Sequence, residues 1–379
     1  MLHFQSADWQ VFFAGWMHVL HTKGLHAFQQ PFSDYNFPYL FLLWVVGHLG
    51  LGSLLAVKLL SVVIDAALAT GAGLLAHQLW PQVRAVSAAA VVFALPTVML
   101  NGALWGQSDG LYTSVAVFAI LFACRGRWTL AGALLGAALA VKLQTIFVAP
   151  PLLLLWWHRD RRPWPIAAAF ASFLILTLPP VLFGRSLPSV LGTYRTQTHE
   201  YAALTNNAPN LYQWWPWSYH AGNLTATVLT VIALVSIGCL GMRRWTRATT
   251  SGPAFARGTV AYCCFAAALL PFVLPRMHER YFYIAEVLAV ILAFGCRAAL
   301  LAAGLLQVAT LLAYAPFLTQ RTVLPLPVAA MATLGAIAAL AFVVWRGRAE
   351  ITQAARDNGA TPDARGRQRA PVSPRAAAL

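Results

Sequence analysis

Acid is scarce in this chain: 11 Asp and Glu among 379 residues, against 26 Lys and Arg. Charged residues of both signs make up only 10% of it, where a soluble domain carries roughly 25%. No long polar stretch interrupts the apolar segments between about residues 58 and 345. That excludes a soluble globular protein. Cysteine is sparse as well. Cys124, Cys239, Cys263, Cys264 and Cys296 lie in or beside apolar runs, with no metal-ligand spacing and no disulfide framework. There is no P-loop, and no GxGxxG following a strand pattern. Residues 1–36 lack the apolar core of a signal peptide. What is abundant is hydrocarbon: 59% of residues are hydrophobic, and the mean hydropathy is +0.65.

The excess of positive charge, +15, does not mark a nucleic-acid binder. The basic residues sit in short loops between spans and in the tail, as the positive-inside rule distributes them. Placing Arg84, Arg125 and Arg127, His158 to Arg162, Arg243 to Arg257, Arg297 and Arg346 onward in the cytoplasm fixes a path. The predicted architecture is an all-α polytopic membrane protein with about 11 transmembrane helices, some of them short. Residues 1–57 form a first outer loop with interfacial helices, 58–345 the membrane domain, and 346–379 a disordered basic cytoplasmic tail.

Two apolar segments, 129–141 and 144–157, are too short to be separate spans, and both flanks (Arg127 and Arg159) want the cytoplasm. They predict a hairpin of two short helices with Lys142 and Gln144 near its apex, lining a cavity that opens outward. This path puts the N-terminus outside. Either residues 37–54 form another span or a helix precedes residue 1. His48 and the glycines Gly47, Gly50 and Gly52 favour the second, with 37–54 lying at the interface.

Four polar groups converge on the outer side. Asp8 lies in "SADWQ", Asp34 in "SDYNFPY", Gln107 and Asp109 in "WGQSDG". Pro275 to Tyr281 packs Arg276, His278, Glu279 and Arg280 between two apolar runs. Each alone has a plain structural reading: Asp8 as a helix cap, Asp34 as a turn residue, Asp109 on a helix dipole, the 276–280 charges as interfacial ion pairs, Lys142 as a snorkelling side chain. Asp65 suits helix–helix glue and Lys58 an interfacial position. Together they suit one chemistry. A sugar on a lipid phosphate carries its leaving group, so the site needs a base for an acceptor hydroxyl, here Asp8. It also needs positive charge for the departing phosphate, from Arg280, His278, Lys142 or Arg276. Asp34, Gln107, Asp109, Glu279 and Gln144 would contact sugar or position loops. Trp214, Trp215 and Trp217 could offer the acceptor an aromatic platform. Asp8, Asp34 and Asp109 leave a divalent metal ion open.

At "WGQSDGLY" (105–112), "AVKLQTIFVAPPLLL" (140–154), "PRMHERYFY" (275–283) and, more loosely, "NAPNLYQWW" (207–215), the chain resembles the GT-C superfamily of membrane glycosyltransferases. It most resembles bacterial mannosyltransferases related to the second mannosyltransferase of glycosylphosphatidylinositol-anchor synthesis. It is more distantly similar to the dolichol-pathway glucosyltransferases. The resemblance implies a polyprenyl-phosphate sugar as donor, and Asp8 as the catalytic acid of the first outer loop. It places Asp34 in a second conserved element, Arg280 on the lipid phosphate, and Lys142 in the helix hairpin. It also implies a transmembrane helix before the first outer loop. The expected function is transfer of a hexose, mannose first, with inversion, to a lipid-linked or cell-envelope acceptor at the outer face of the inner membrane. The partners are then the donor lipid, the acceptor and the bilayer, with no nucleic acid. The rival is a transporter or flippase of lipid-linked sugars, against which stands the lack of a second, repeated broken helix pair.

Overall fold

The structure, a computed structural model, describes residues 2–199, 203–215, 218–245 and 252–359. It is an all-α membrane protein. In chain order the helices are α1 (Ala14–Lys23), α2 (Phe37–Gly47), α3 (Ser53–Leu79), α4 (Ala85–Phe93), α5 (Pro96–Met99), α6 (Asp109–Cys124), α7 (Trp128–Val141) and α8 (Ala149–Arg159). They continue with α9 (Trp164–Thr177), α10 (Pro179–Leu182), α11 (Leu187–His199), α12 (Tyr219–Trp245), α13 (Pro253–Val273), α14 (Tyr283–Ala293), α15 (Arg297–Thr319) and α16 (Leu326–Gly359). The last carries the first part of the region read as a basic tail; residues 360–379 lie outside the described ones.

Among the described residues, five helices are long and apolar enough to cross a bilayer: α3, α12, α13, α15 and α16. A sixth candidate is the bent pair Ala85–Phe93 and Pro96–Trp105, angled by 56°. Pro96 causes the bend: a residue before proline is pushed out of the helical region, and Leu95 sits at ψ 132°. Helix α2, at 11 residues, is about 16 Å long, half of a hydrocarbon core of about 30 Å.

Lipid tails are as apolar as leucine, so helices associate in a membrane through close packing. Helices α7 and α9 show how. Gly132 and Gly136, four residues apart, let the backbone of α9 approach. A Cβ at Gly132 would lie 2.1 Å from the Pro165 carbonyl oxygen, and one at Gly136 1.9 Å from that of Ala169. Ser172 Oγ then donates to the Ala133 carbonyl at 2.7 Å. At the centre of the bundle lies α13, with 89% of its apolar window buried against 22% for α12. Its buried face is built of small side chains: Ala261, Cys263, Cys264, Ala266, Ala267 and Ala268. The cysteines are packing residues, and all five are unbonded thiols.

The predicted break between two short helices at Lys142 is present. Helix α7 ends at Lys142, which is extended (φ −155°, ψ 136°), and a 3-10 turn over Leu143–Val148 leads into α8. One connection is not visible in the sequence pattern. Thr205–Asn206 (β1) pairs in parallel with Met277–His278 (β2), Asn206 opposite His278. The Arg276 N–H also donates to the Leu204 carbonyl at 2.9 Å. Arg276 takes a left-handed φ of 63° to make that turn. The segment around Leu204–Asn206 is thereby tied to the loop between α13 and α14.

Lys58 corrects its sequence reading. It is buried on α3 rather than interfacial, and its Nζ donates to the Leu104 carbonyl in the π-helical turn Leu100–Trp105. That turn ends at Gly106, in the left-handed region at φ 83°. Asp65 lies one side-chain layer deeper, against Gly102 and Gly110. A Cβ at Gly102 would fall 1.9 Å from Asp65 Oδ2, so the turn needs glycine there to clear the carboxylate.

Candidate active site

Asp8, Asp34, Lys142, Gln144, His278, Glu279 and Arg280 line one cavity. They come from four segments far apart in sequence. The N-terminal segment supplies both aspartates and is pinned by aromatic packing. Tyr35 sits 5.2 Å from both Trp16 and Tyr39, ring to ring, and Phe13 5.0 Å from Trp16. The connection between α7 and α8 supplies Lys142 and Gln144, and the α13–α14 loop the remaining three.

Asp8 is not a helix cap by its side chain. Its Oδ2 accepts from Trp105 Nε1 at 2.9 Å and from Gln107 Nε2. Oδ1 takes no hydrogen bond from the described residues. Gln107 is oriented in turn, because its Oε1 accepts from Tyr35 Oη at 2.9 Å. The arrangement of a carboxylate fixed through one oxygen and open at the other is that of a positioned base. Arg280 closes on it at 4.0 Å.

The cations are held from behind. Lys142 Nζ lies 2.5 Å from Asp109 Oδ1, and Arg280 Nε 3.5 Å from Asp109 Oδ2 without hydrogen-bond geometry. Asn101 Nδ2 donates to Asp109 Oδ2 at 3.1 Å. Glu279 Oε1 takes a 3.0 Å bond from Arg280, and its Oε2 lies 3.8 Å from His278 Nδ1. Buried charges persist only when paired, so Asp109 and Glu279 are what allow Lys142 and Arg280 to sit here. Burial alone would raise the Glu279 carboxyl. The neighbouring His278 ring and the charge of Arg280 outweigh it and hold Glu279 below the usual range. Asp34 goes the other way: burial raises its carboxyl, more than its backbone bond and the charges of Arg280 and Lys142 lower it.

Arg276 stands apart from this cavity. Its guanidinium covers the Tyr219 ring at 4.4 Å and donates to Tyr219 Oη. It lines a neighbouring groove with Leu143, Ile146, Phe147 and Leu274. Gln144, Gln197 and Tyr281 line both spaces. Gln107 and Asp109 lie behind the cavity wall as partners of Asp8 and Lys142. Trp214 is not brought to the cavity: its Nε1 donates to the Pro327 carbonyl at 3.2 Å, and its ring packs on Phe272. Trp215 lines neither space, and Trp217 lies outside the described residues. No three His, Cys, Asp or Glu among the described residues group as metal ligands.

Sequence reasoning missed Trp105, although the motif containing it was singled out; an indole N–H beside Gln and Asp was the available signal. It missed Gln197, whose Nε2 donates to the Asp34 carbonyl at 2.7 Å. It also missed Phe317, which belongs to a helix read as a plain span and stacks on Trp105 at 4.8 Å.

No curated protein matches the chain significantly. The family model of glycosyltransferase family 87 matches residues 34–271, well over half of the chain. That stretch includes Asp34, Gln107, Asp109, Lys142 and Gln144, and stops short of the 276–280 cluster. With its apolar helices and its buried cluster of acids and cations, the chain belongs to glycosyltransferase family 87, a family of membrane glycosyltransferases.

Proposed function

We propose that the protein transfers a hexose, mannose in our reading, from a polyprenyl-phosphate donor to an acceptor hydroxyl at the outer face of the cytoplasmic membrane. One observation carries this: Asp8, open at Oδ1, shares a cavity with Arg280, Lys142 and His278. The acceptor O–H gives its proton to Asp8 as its oxygen bonds to the anomeric carbon. The bond from that carbon to the phosphate oxygen breaks, and its electron pair leaves with the lipid phosphate. Attack opposite the leaving group inverts the anomeric centre. The phosphate gains a negative charge as it departs, and Arg280, Lys142 and His278 are placed to stabilise it. The adjoining groove, apolar along Leu143, Ile146 and Phe147 with Arg276 and Tyr219 on its polar side, suits the first isoprene units. Asp34, Gln144 and Gln197 remain for sugar hydroxyls. Trp214 and Trp215 would touch an acceptor only if the loop bearing them rearranged.

The test is transfer by purified protein of labelled sugar from polyprenyl-phosphate mannose and polyprenyl-phosphate glucose into native lipid extract. Label in a new product with either donor supports the reading and names the sugar. Movement of the intact donor across vesicles, with no new product, would assign the protein to transport.

A further inference from the structure

At the far ends of the helices that carry the active site lies a second cavity, of about 660 Å³. It is lined by the C-terminal ends of α3 and α14, the N-terminal ends of α13 and α15, and α16 near Phe342 to Arg346. Helix α13, 21 residues long, separates it from the 275–281 loop by about 30 Å, one hydrocarbon thickness. We propose that this cavity binds the phosphate headgroup of an anionic phospholipid in the leaflet opposite the active site.

Its charge is of one sign. Arg257, Arg297 and Arg346 line it, and no Asp or Glu does. None of the three pairs with a carboxylate among the described residues. The cavity floor is rigid. Trp80 lies on Gly295, where a Cβ would come within 2.5 Å of the indole. The indole N–H donates to the Ile291 carbonyl at 3.1 Å. Arg257 stacks over that ring at 4.9 Å and is steadied by the Leu79 carbonyl at 3.3 Å. Its remaining donors have no partner among the described residues, so they are available to a phosphate in the fork geometry arginine offers. The occupant is a lipid rather than a soluble anion because one wall is Phe342, 45% exposed on a spanning helix, with Trp345, 66% exposed, beside it. Such side chains face acyl chains. By the charge rule, this basic face lies toward the cytoplasmic leaflet, where anionic lipids gather around clustered arginines.

The full chain would be reconstituted with phosphatidylglycerol and phosphatidylcholine, and retained lipid counted by native mass spectrometry. The wild type should keep phosphatidylglycerol selectively. R257Q/R297Q should lose that retention roughly tenfold. R84Q/R127Q, basic positions outside the cavity, should leave it unchanged. Excess inorganic phosphate should not displace the lipid. Equal loss in R84Q/R127Q, no loss in R257Q/R297Q, or displacement by phosphate would overturn the proposal. If the first double variant melts early, R297Q alone, on an exposed side chain, must still lower retention.

Discussion

Lys142 Nζ sits 2.5 Å from Asp109 Oδ1, which ties the connection between α7 and α8 to the first residue of α6. Both groups are buried, so neither tolerates loss of the other. Removing one member of a buried ion pair costs about 3–5 kcal/mol. Asp109→Asn should destabilise strongly, because Lys142 loses its counter-charge and Arg280 keeps only Glu279 and the more distant Asp8. Lys142→Gln should cost less, since Arg280 still faces Asp109. The double variant should recover part of the stability of Asp109→Asn while remaining inactive. Thermal melts in detergent, read beside a transfer assay, check all three.

The hydrogen bonds that orient Asp8 give a second prediction. Trp105→Phe and Gln107→Leu each remove a donor to Oδ2 without touching Oδ1. Each should lower kcat by about 10-fold or more with little change in donor KM, as expected when a base loses its positioning. A matching rise in KM would mean that these residues bind substrate instead.

Two carboxyls should respond to pH in opposite directions. Glu279 is depressed in the folded protein, so its stabilising contribution is present above its unfolded value of about 4.5 and is lost as pH falls through the folded one. Glu279→Gln should therefore be destabilising at neutral pH, and the gap to wild type should narrow below about pH 4.5. Asp34 is raised, so folding favours its protonated form. That benefit is present below the unfolded value of about 3.8 and is lost as pH rises through the folded value. Asp34→Asn should thus raise the melting midpoint at neutral pH and lose that advantage in acid. Melting midpoints across pH 3.5 to 7 read both.

Gly102 gives a packing prediction. An alanine there would place its Cβ 1.9 Å from Asp65 Oδ2. Overpacking of this kind costs about 1–3 kcal/mol or more, and the displaced turn carries Trp105 and Gln107. Gly102→Ala should lower both stability and activity, and adding Asp65→Ala should restore part of the stability. A Gly102→Ala protein as stable as wild type would contradict the close approach.

Much of this architecture is legible in one sequence because membranes impose strong patterns. Apolar length marks the spans, arginine-bearing loops mark one face, and a lysine between two short apolar runs marks the break between them. The scarcity of acids made Asp8, Asp34, Asp109 and Glu279 conspicuous. What could not be read were pairings between distant loops. Nothing periodic links Asn206 to His278, or Trp105 to Asp8. Lys58 looked interfacial because its position near a helix start says nothing of the carbonyl it meets. Trp214 looked like a platform because an indole near a membrane surface serves equally well as a structural anchor, which is how it bonds Pro327.

The central claim is that Asp8 acts in transfer while the cations hold the donor. Asp8→Asn keeps the shape and the cavity but removes the base. The measurement is donor binding and single-turnover transfer on the same Asp8→Asn preparation, with labelled polyprenyl-phosphate mannose and glucose. The account predicts that donor affinity stays within about threefold of wild type while transfer falls by at least about 100-fold. Transfer at the wild-type rate, or loss of donor binding in step with activity, would contradict it.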